Sequence, residues 1–259
     1  MEFDKKIKEK SKISIILPNY NSSKYIEETL SSILNQSFKD WRLIIIDDNS
    51  NFETKKILEK FKNNKQINII LLNKNKGAGY CRNLGIQISN SEYISFIDSD
   101  DTWEAEKLEE QFNFMEKNEY DFTYTQYSTF KMNNEKKILK KITPPKKMSY
   151  ESFINDTSIS TSSMMLKKKV IGETKFSDSE ICEDYFFKCE ILKKVNYAFC
   201  LEKKLTNYRI RENSLQSNKL KNLFWVWKIN KNLNKLSTVR NLISVISISV
   251  SSFKRYGLK

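Results

Sequence analysis

Two acidic residues follow an apolar run near position 100. Asp98 and Asp100 lie two positions apart after residues 93–97, in the order Asp98-Ser99-Asp100. In near-extended backbone the side chains of residues i and i+2 point to the same side. Two carboxylates on one side suit Mg²⁺ or Mn²⁺, which also binds the phosphate oxygens of a substrate. A turn built from Asp and Ser is the purely structural interpretation of the same residues.

Two further acidic pairs have similar alternatives. Asp47 and Asp48 follow the apolar run at residues 42–46, where carboxylates can accept hydrogen bonds from a nucleotide base or ribose. The same pair could instead cap a helix. Glu183 and Asp184 open an amphipathic segment, and acidic residues in a first helical turn also complement the helix dipole.

Three of the five glycines, Gly77, Gly79 and Gly85, fall close together. The first two precede a predicted helix that carries Arg82 near its start, so backbone N–H groups and a guanidinium can face a pyrophosphate. Arg82 takes the place of the third glycine in the dinucleotide fingerprint, and no Gly-Lys-Ser/Thr phosphate loop is present. An ordinary loop with a surface arginine is the alternative.

The composition excludes several kinds of chemistry. The chain has no histidine, which excludes Ser-His-Asp and Cys-His catalysis and imidazole metal ligands. The four cysteines lack a Cys-x-x-Cys pair, so we expect reduced, mostly buried thiols and no zinc site. Residues 1–12 are charged and lack an apolar core, so we expect no secretory leader and a cytoplasmic protein.

The apolar runs indicate how these side chains are positioned. Buried-strand patterns at residues 13–17, 42–46, 67–72 and 93–97 alternate with predicted helices, the first of them capped by Ser22 or Ser23. This alternation predicts an α/β fold with a mostly parallel central sheet and helices on both faces. Ligands bind beyond the carboxyl ends of such strands, where two of the acidic pairs fall.

The second half of the sequence is less regular. Residues 121–130 and 205–210 have strand-like patterns, residues 183–193 predict a helix, and residues 131–147 read as a lysine-rich connection.

Positive charge is concentrated near the end of the chain. Lys+Arg 45 against Asp+Glu 32 gives a net charge of +13, which attracts phosphates, nucleic acid or anionic membranes. No acidic residue follows Glu212, and apolar residues recur at helical spacing from residue 239 to residue 253. We therefore divide the chain into a nucleotide-sugar-binding and catalytic domain at residues 1–217 and a basic amphipathic helical tail at residues 218–259. The tail either lies on an anionic inner-membrane surface or packs against the domain or a second subunit.

Taken in order, the motifs resemble the inverting glycosyltransferase family 2 of bacterial surface-polysaccharide assembly. The matching segments are residues 14–21, 46–50, 75–83 and 96–103, followed by residues 183–184 and 208–211. The resemblance spans roughly residues 12–215 and implies a GT-A-like fold. It also implies transfer of a sugar, by a hexosyl- or N-acetylhexosaminyltransferase, from a UDP-sugar to a hydroxyl of a glycan or lipid-linked oligosaccharide, with Mn²⁺ or Mg²⁺ as cofactor.

The resemblance also implies roles for individual residues. Asp184, with Glu183 beside it, corresponds to the catalytic base, and Asp100 with Asp98 to the metal ligands. The residues expected at the nucleotide are Pro18, Tyr20, Asn21, Asp47, Asp48, Arg82, Asp98 and Arg211. Separately from the resemblance, the acceptor is assigned to Ser162, Ser163 and Trp103, and a plain polar strand at residues 160–163 is the alternative. Many family members carry His at the position of Arg211, which as a permanent cation predicts a contact with the diphosphate and one fewer metal ligand.

Two other functions compete with this interpretation. A nucleotidyltransferase that forms a sugar nucleotide would need a Gly-rich basic loop after the first strand, where this chain has Pro18-Asn19-Tyr20-Asn21. A non-enzymatic phosphate- or nucleic-acid-binding protein would explain the net charge, but acidic clusters at strand ends disfavour a specific nucleic-acid groove. The expected location is peripheral, at the inner face of the cytoplasmic membrane. The donor sugar, the acceptor and the oligomeric state stay open.

Overall fold

The computed structural model describes residues 7, 10–132, 136–179, 181–211 and 219–256. The strands are β1 (Ile13–Asn19), β2 (Trp41–Asp47), β3 (Ile67–Leu71), β4 (Tyr93–Phe96), β5 (Thr102–Trp103), β6 (Phe122–Met132), β7 (Lys136–Ile142), β8 (Lys147–Met148), β9 (Met164–Lys167) and β10 (Ala198–Arg209). The α-helices are α1 (Ile26–Leu34), α2 (Phe52–Glu59), α3 (Ala78–Ile88), α4 (Lys107–Asn118), α5 (Tyr150–Phe153), α6 (Lys168–Ile171), α7 (Glu183–Lys194), α8 (Lys219–Asn232) and α9 (Thr238–Tyr256), and a 3₁₀ helix spans Thr161–Ser163.

A single sheet runs through the described residues in the order β3-β2-β1-β4-β9-β6-β10-β5. Its first part, β3-β2-β1-β4, is entirely parallel, as the alternating pattern predicts. Alternate residues of β1 point to opposite faces, so Ile15 packs in the core cluster that contains Leu30 of α1, and Ile16 in the cluster that contains Phe187 of α7. Both faces are therefore covered, and Asp47, Asp48, Asp98 and Asp100 lie at the carboxyl ends of β2 and β4.

The second part of the sheet mixes orientations. Strand β9 joins β4 to β6 by antiparallel pairing, and β10 runs parallel to β6. The lysine-rich connection predicted at residues 131–147 is wrong in part, because β7 forms an antiparallel edge strand on β6. Lysines on an exposed edge strand keep it from pairing with other chains, and this composition conceals the strand in the sequence.

The first helix begins differently from the prediction. Neither Ser22 nor Ser23 caps it: α1 starts after Tyr25, and no side chain caps that end. The hydroxyl of Ser22 instead donates to the Oδ1 atom of Asn19. A residue predicted to stabilise a helix end therefore stabilises the end of β1.

Helix α3 packs unusually close to the sheet. A Cβ atom on Gly85 would lie 2.6 Å from Cγ2 of Ile16 in β1, so the absence of a side chain permits the contact. This approach places the start of α3, with Arg82, at the carboxyl edge of the parallel strands.

The C-terminal helices pack on the domain. Val226 and Ile229 of α8 and Ile248 of α9 belong to the same core cluster as Phe96 and Phe187. The predicted boundary between residues 217 and 218, like most of residues 1–12, lies outside the described residues. Within the part of the chain that the structure describes, no helix is long and apolar enough to cross a membrane.

Candidate active site

Asp47 and Asp48 stabilise the loops at the end of β2. The carboxylate of Asp47 accepts hydrogen bonds from Nδ2 of Asn19 (2.8 Å) and the backbone N–H of Ser50 (3.0 Å). Asp48 accepts from the backbone N–H groups of Lys76 (2.7 Å) and Gly77 (2.8 Å), one at each oxygen. A carboxylate has about four lone-pair sites, so Asp48 keeps acceptor capacity for a ligand while it holds the glycine-bearing loop.

The remaining residues predicted for the base pocket surround this strand end. Pro18 is buried opposite Ile46 in β2, whereas the ring of Tyr20 is 51% exposed and accessible to a ligand. The left-handed backbone of Asn21 (φ 47°) lets its N–H donate to Oγ of Ser50 (2.9 Å). The structure thus brings Pro18, Tyr20 and Asn21 to the same edge as the acidic pair.

Arg82 joins two of the predicted site segments. Its buried guanidinium donates from Nη2 to Oδ1 of Asp98 and from Nη1 to Oε1 of Glu183, each at 2.6 Å. The planar fork of an arginine suits two carboxylates at once. Arg82 is therefore a buried bridge between the end of β4 and the start of α7, and not the surface side chain of the alternative interpretation.

Glycine is required where these segments meet. A Cβ atom on Gly79 would lie 2.9 Å from the carbonyl oxygen of Ser177 and 3.1 Å from Cγ of Glu183. Gly77 has φ +88°, in the region that favours glycine. Gly79 thus allows a close approach of the helix start to Glu183, whereas the predicted contact of this loop with a pyrophosphate stays a prediction.

Asp100 and Asp101 are held by the end of β10. Oδ2 of Asp100 lies 2.6 Å from Nε of Arg211, while Oδ1 of Asp101 accepts from the backbone N–H of Arg209 at 2.9 Å. Burial raises the pKa of Asp100 to about 6, with Arg211 opposing the rise and Asp98 adding to it. The predicted Arg211 is therefore at the site, bound to the residue predicted to hold a metal.

The carboxylates fit a divalent cation only in part. Among the described residues no group of three or more His, Cys, Asp or Glu side chains surrounds a common point. Asp98 and Asp100 each have one oxygen bound by an arginine, but both carboxylates retain further lone pairs. Mg²⁺ needs only one or two carboxylates when substrate phosphates and water complete its shell. These two residues would hold Mn²⁺ or Mg²⁺ together with a bound diphosphate.

Asp184 lies in a different environment from Glu183. Its Oδ2 accepts from Oγ1 of Thr161 (2.7 Å) and Nζ of Lys188 (2.6 Å). Burial raises the pKa of Asp184, but Lys188 and Thr161 outweigh that effect and hold it well below its ordinary value. Burial raises the pKa of Glu183, against the opposing charge of Arg82. Asp184 is thus ionised at neutral pH, the form in which a carboxylate can act as a base.

The 3₁₀ helix connects the two groups of carboxylates. Thr161 bonds to Asp184, and the next residue, Ser162, accepts from the backbone N–H of Asp98 (3.1 Å) and donates to Oδ2 of Asp101 (2.6 Å). The acidic residues that follow β4 are therefore connected to Asp184 of α7 through the 3₁₀ helix.

The prediction that Ser162, Ser163 and Trp103 bind the acceptor is wrong, because all three side chains are buried. Ser162 and Ser163 are fully buried, and Trp103 is 4% exposed. The indole Nε1 of Trp103 donates to the carbonyl oxygen of Ser162 at 2.8 Å, and Oγ of Ser163 donates to the carbonyl oxygen of Ser160 at 2.7 Å. These side chains support the site from beneath and have no surface for an acceptor.

The sequence analysis assigned no role to two residues that support the site, Lys188 and Arg209. Lys188 follows Asp184 by four positions, the spacing at which helical side chains meet, and this signal could have identified it. Arg209 donates from Nε to the backbone oxygen of Asp100 (2.7 Å) and pairs with Glu28 of α1. No local spacing connects Arg209 with Glu28, so only the fold shows that contact.

Comparison with known proteins decides the family. The family described as Glycosyl transferase family 2 matches residues 14–174. The chain belongs to glycosyl transferase family 2.

The sequences of two named glycosyltransferases align with most of this chain. It is 31% identical over 246 residues to UDP-Glc:alpha-D-GlcNAc-diphosphoundecaprenol beta-1,3-glucosyltransferase WfgD of Escherichia coli, covering 92% of this chain and 93% of WfgD. It is 33% identical over 198 residues to poly(ribitol-phosphate) beta-N-acetylglucosaminyltransferase TarP of Staphylococcus aureus, covering 72% of this chain and 59% of TarP.

Solved structures of similar fold include that of S. aureus TarS in complex with UDP-GlcNAc. It matches with a TM-score of 0.71 and 21% identity, covering 94% of this chain and 73% of the solved chain, which is TarS 1-349. This similarity supports the GT-A-like fold that the family-2 motifs imply. The family and the fold predicted from the sequence are therefore confirmed, and the chain is a glycosyltransferase.

Proposed function

We propose that the protein transfers a hexosyl or N-acetylhexosaminyl group from a UDP-sugar to a hydroxyl of a glycan or lipid-linked acceptor, with inversion and with assistance from Mn²⁺ or Mg²⁺. The observation that carries this proposal is the network that joins Arg82, Asp98 and Glu183 to Asp184 through the 3₁₀ helix. The proposed reaction needs groups for the donor diphosphate and a base for the acceptor hydroxyl close together, and this network brings both kinds of group together.

The donor nucleotide is assigned to the edge formed by β1 and β2. Tyr20 offers an exposed ring for the base, and Asp48 retains acceptor capacity for the uracil while its oxygens hold Lys76 and Gly77. Asp47, Pro18 and Asn21 shape the same edge, and Asp98 would face the ribose. The binding of UDP-GlcNAc by TarS supports a uridine nucleotide as donor.

The leaving diphosphate gains negative charge as the glycosidic bond breaks, so groups that bind this charge lower the barrier. Arg211 is 39% exposed and already lies at the site, and we assign its guanidinium to the diphosphate. When bound at Asp98 and Asp100, a divalent cation would supply further charge neutralisation. The buried Arg82 instead positions Asp98 and Glu183.

The acceptor hydroxyl is a poor nucleophile near neutral pH and needs a base to accept its proton. We assign this role to Asp184, whose Oδ2 is fixed by Thr161 and Lys188. Within the described residues no hydrogen bond reaches its Oδ1, which is the atom assigned to the proton. In a single in-line displacement the base and the diphosphate lie on opposite faces of the sugar, so the anomeric configuration inverts.

A groove of about 930 Å³ beside the site suits the acceptor. Its walls include Phe186, Trp225 and Asp178, a combination of aromatic rings and a carboxylate that fits the faces and hydroxyls of a glycan. Ser177 of the same wall contacts the site, because its backbone N–H donates to the backbone oxygen of Glu183 (3.4 Å). The name of WfgD specifies a lipid-linked diphosphate acceptor, which supports a reaction at the inner face of the cytoplasmic membrane.

The proposal is tested by measuring hydrolysis of a panel of UDP-hexoses and UDP-N-acetylhexosamines, with GDP-mannose as the control, in Mn²⁺, in Mg²⁺ and in chelator. We expect UDP release from one class of donor, dependent on metal and lost in Asp184→Asn when an acceptor glycan is present. Release of pyrophosphate from UTP in the presence of a sugar 1-phosphate would instead indicate a nucleotidyltransferase. Absence of UDP binding in calorimetry would contradict the proposal.

A further inference from the structure

The inward side of helix α9 buries two polar residues beside Ile248. Asn241 and Ser244 are completely buried. Nδ2 of Asn241 donates to the backbone oxygen of Trp227 (3.0 Å), and Ser244 accepts from Nδ2 of Asn230 (3.0 Å) and donates to the backbone oxygen of Ile154. Because buried polar groups are costly without partners, these bonds fix the rotation of the helix about its axis.

The opposite side of α9 is apolar and faces outward. Its side chains recur at spacings of three and four and so form one stripe along the helix. They are Val239 (70% exposed), Leu242 (52%), Ile243 (55%), Ile246 (54%), Val250 (48%) and Phe253 (51%). A surface helix of a globular protein normally buries such a stripe, and exposed apolar patches of this kind mark interaction sites.

We propose that this stripe is the docking surface of the protein on an anionic lipid bilayer. With no helix of the described chain able to span a membrane, α9 would lie in the plane of the interface with its stripe among the acyl chains. The inference rests on the proposed location of the reaction at a membrane. It adds the surface, its orientation and the lipid charge.

The charge around the stripe selects lipid over a second copy of the chain. Lys235 and Lys254 are exposed at the two ends of α9, and no acidic residue follows Glu212 in the sequence. The described acidic residues that contact α9 are Glu151 and Asp156, each paired with an arginine of the helix. Two copies packed stripe to stripe would bring two basic tails together, whereas anionic headgroups complement them.

The experiment requires full-length variants. Removal of the tail would uncover the core around Val226, Ile229 and Ile248, so loss of binding by a truncated chain would be uninformative. The test variant is Ile243→Ser/Ile246→Ser/Val250→Ser, three exposed positions on α9. The matched control is Phe52→Ser/Leu71→Ser/Ile138→Ser, three exposed apolar residues on other elements.

Flotation with phosphatidylglycerol vesicles and with phosphatidylcholine vesicles is the measurement. We expect the wild type and the control to bind phosphatidylglycerol vesicles at least tenfold more tightly than phosphatidylcholine vesicles. The α9 variant should bind phosphatidylglycerol vesicles at least tenfold more weakly than the wild type does, and its melting temperature should be unchanged. Equal binding by the α9 variant and the wild type, or no binding by the wild type, would overturn the proposal.

Two other results separate the alternatives. A wild-type dimer in sedimentation that the α9 variant dissociates, without vesicle binding, would assign the stripe to a second copy and overturn the lipid proposal. UDP-sugar hydrolysis in solution, measured on the same samples, is independent of docking. Intact hydrolysis without vesicle binding therefore contradicts only the docking surface, and vesicle binding without hydrolysis contradicts only the proposed reaction.

Discussion

Nε of Arg211 lies 2.6 Å from Oδ2 of Asp100, so the carboxylate best suited to a divalent cation already binds a cation of the chain. We predict that Arg211 and the metal compete for Asp100. Arg211→Ala should bind Mn²⁺ more tightly in the absence of nucleotide, by roughly tenfold, the equivalent of about 1.4 kcal/mol. The same variant should bind UDP more weakly because a charge for the diphosphate is lost. Calorimetric titration with Mn²⁺ and with UDP measures both effects.

Arg240→Ala is the matched control for this prediction. Arg240 also pairs with a carboxylate, Glu151, but on the surface of α9 and away from the site. It should leave both affinities unchanged. Unaltered Mn²⁺ and UDP binding in Arg211→Ala would remove Arg211 from the nucleotide site.

Asp184 and Glu183 are adjacent but should differ in function. Asp184→Asn removes the assigned proton acceptor and should lower kcat roughly 10²- to 10⁴-fold with little change in UDP affinity. Glu183→Gln keeps the shape of the side chain but weakens its bond to Arg82, so its main effect should be on stability. Transfer kinetics and thermal melting of the two variants separate these effects. A larger loss of kcat in Glu183→Gln would assign the base to Glu183.

Lys188 sets the titration of Asp184. Its Nζ lies 2.6 Å from Oδ2 of Asp184, and this charge is the main influence that lowers the pKa of the carboxylate against the effect of burial. Lys188→Met should therefore raise that pKa and move the acidic limb of the kcat/KM profile to higher pH. Because the depressed pKa stabilises the folded state above the ordinary value of 3.8, the variant should also lose stability at neutral pH and approach the wild type in acid.

Lys193→Met is the control for the pH profile. Lys193 lies on the same helix and pairs with Glu190 at a more exposed position. Its profile should match that of the wild type. An unshifted profile in Lys188→Met would show that Asp184 is not the group titrating in the reaction.

The buried bridge of Arg82 should contribute far more to stability than a surface pair. Arg82→Met leaves Asp98 and Glu183 without their shared partner, and removing one member of a buried ion pair costs about 3–5 kcal/mol. Arg240→Met breaks an exposed pair, worth about 0–1 kcal/mol. Urea denaturation of both variants gives the comparison. Similar losses would mean that the Arg82 bridge contributes no more than a surface pair.

Gly85 is predicted to be coupled to Ile16. In Gly85→Ala the new Cβ would lie 2.6 Å from Cγ2 of Ile16, an overpacking expected to cost about 1–3 kcal/mol. Ile16→Ala leaves a cavity and costs about 2–5 kcal/mol alone. In the double variant the added methyl partly fills that cavity. The stability lost by the double variant should therefore be smaller than the sum of the losses in the two single variants. Strict additivity in denaturant unfolding would contradict the close contact.

The sequence predicts best where one local pattern determines the structure. The runs that form β1, β2 and β4 are apolar on both faces, and acidic residues end β2 and follow β4, so both the parallel strands and the position of Asp48 and Asp98 follow from the pattern. Strand β7 is missed because its exposed edge carries lysines.

Contacts between distant residues are what the sequence leaves undetermined. Ser162 and Trp103 have types that suit a sugar acceptor, yet the fold buries them beneath the carboxylates. In α9 the periodicity predicts an amphipathic helix, but its outward face depends on hydrogen bonds to Asn230 and Ile154, residues far from it in the chain.

The short 3₁₀ helix has a mechanical consequence. Thr161 bonds to the assigned base, and its neighbour Ser162 bonds to the segment that carries Asp98. The base and the diphosphate side of the proposed displacement are therefore held by the same short helix. Two adjacent residues of this helix therefore set the distance between the two sides. New acceptor preferences could therefore arise at exposed groove residues such as Glu173, Lys175 and Asp178, leaving the alignment of the reacting atoms untouched.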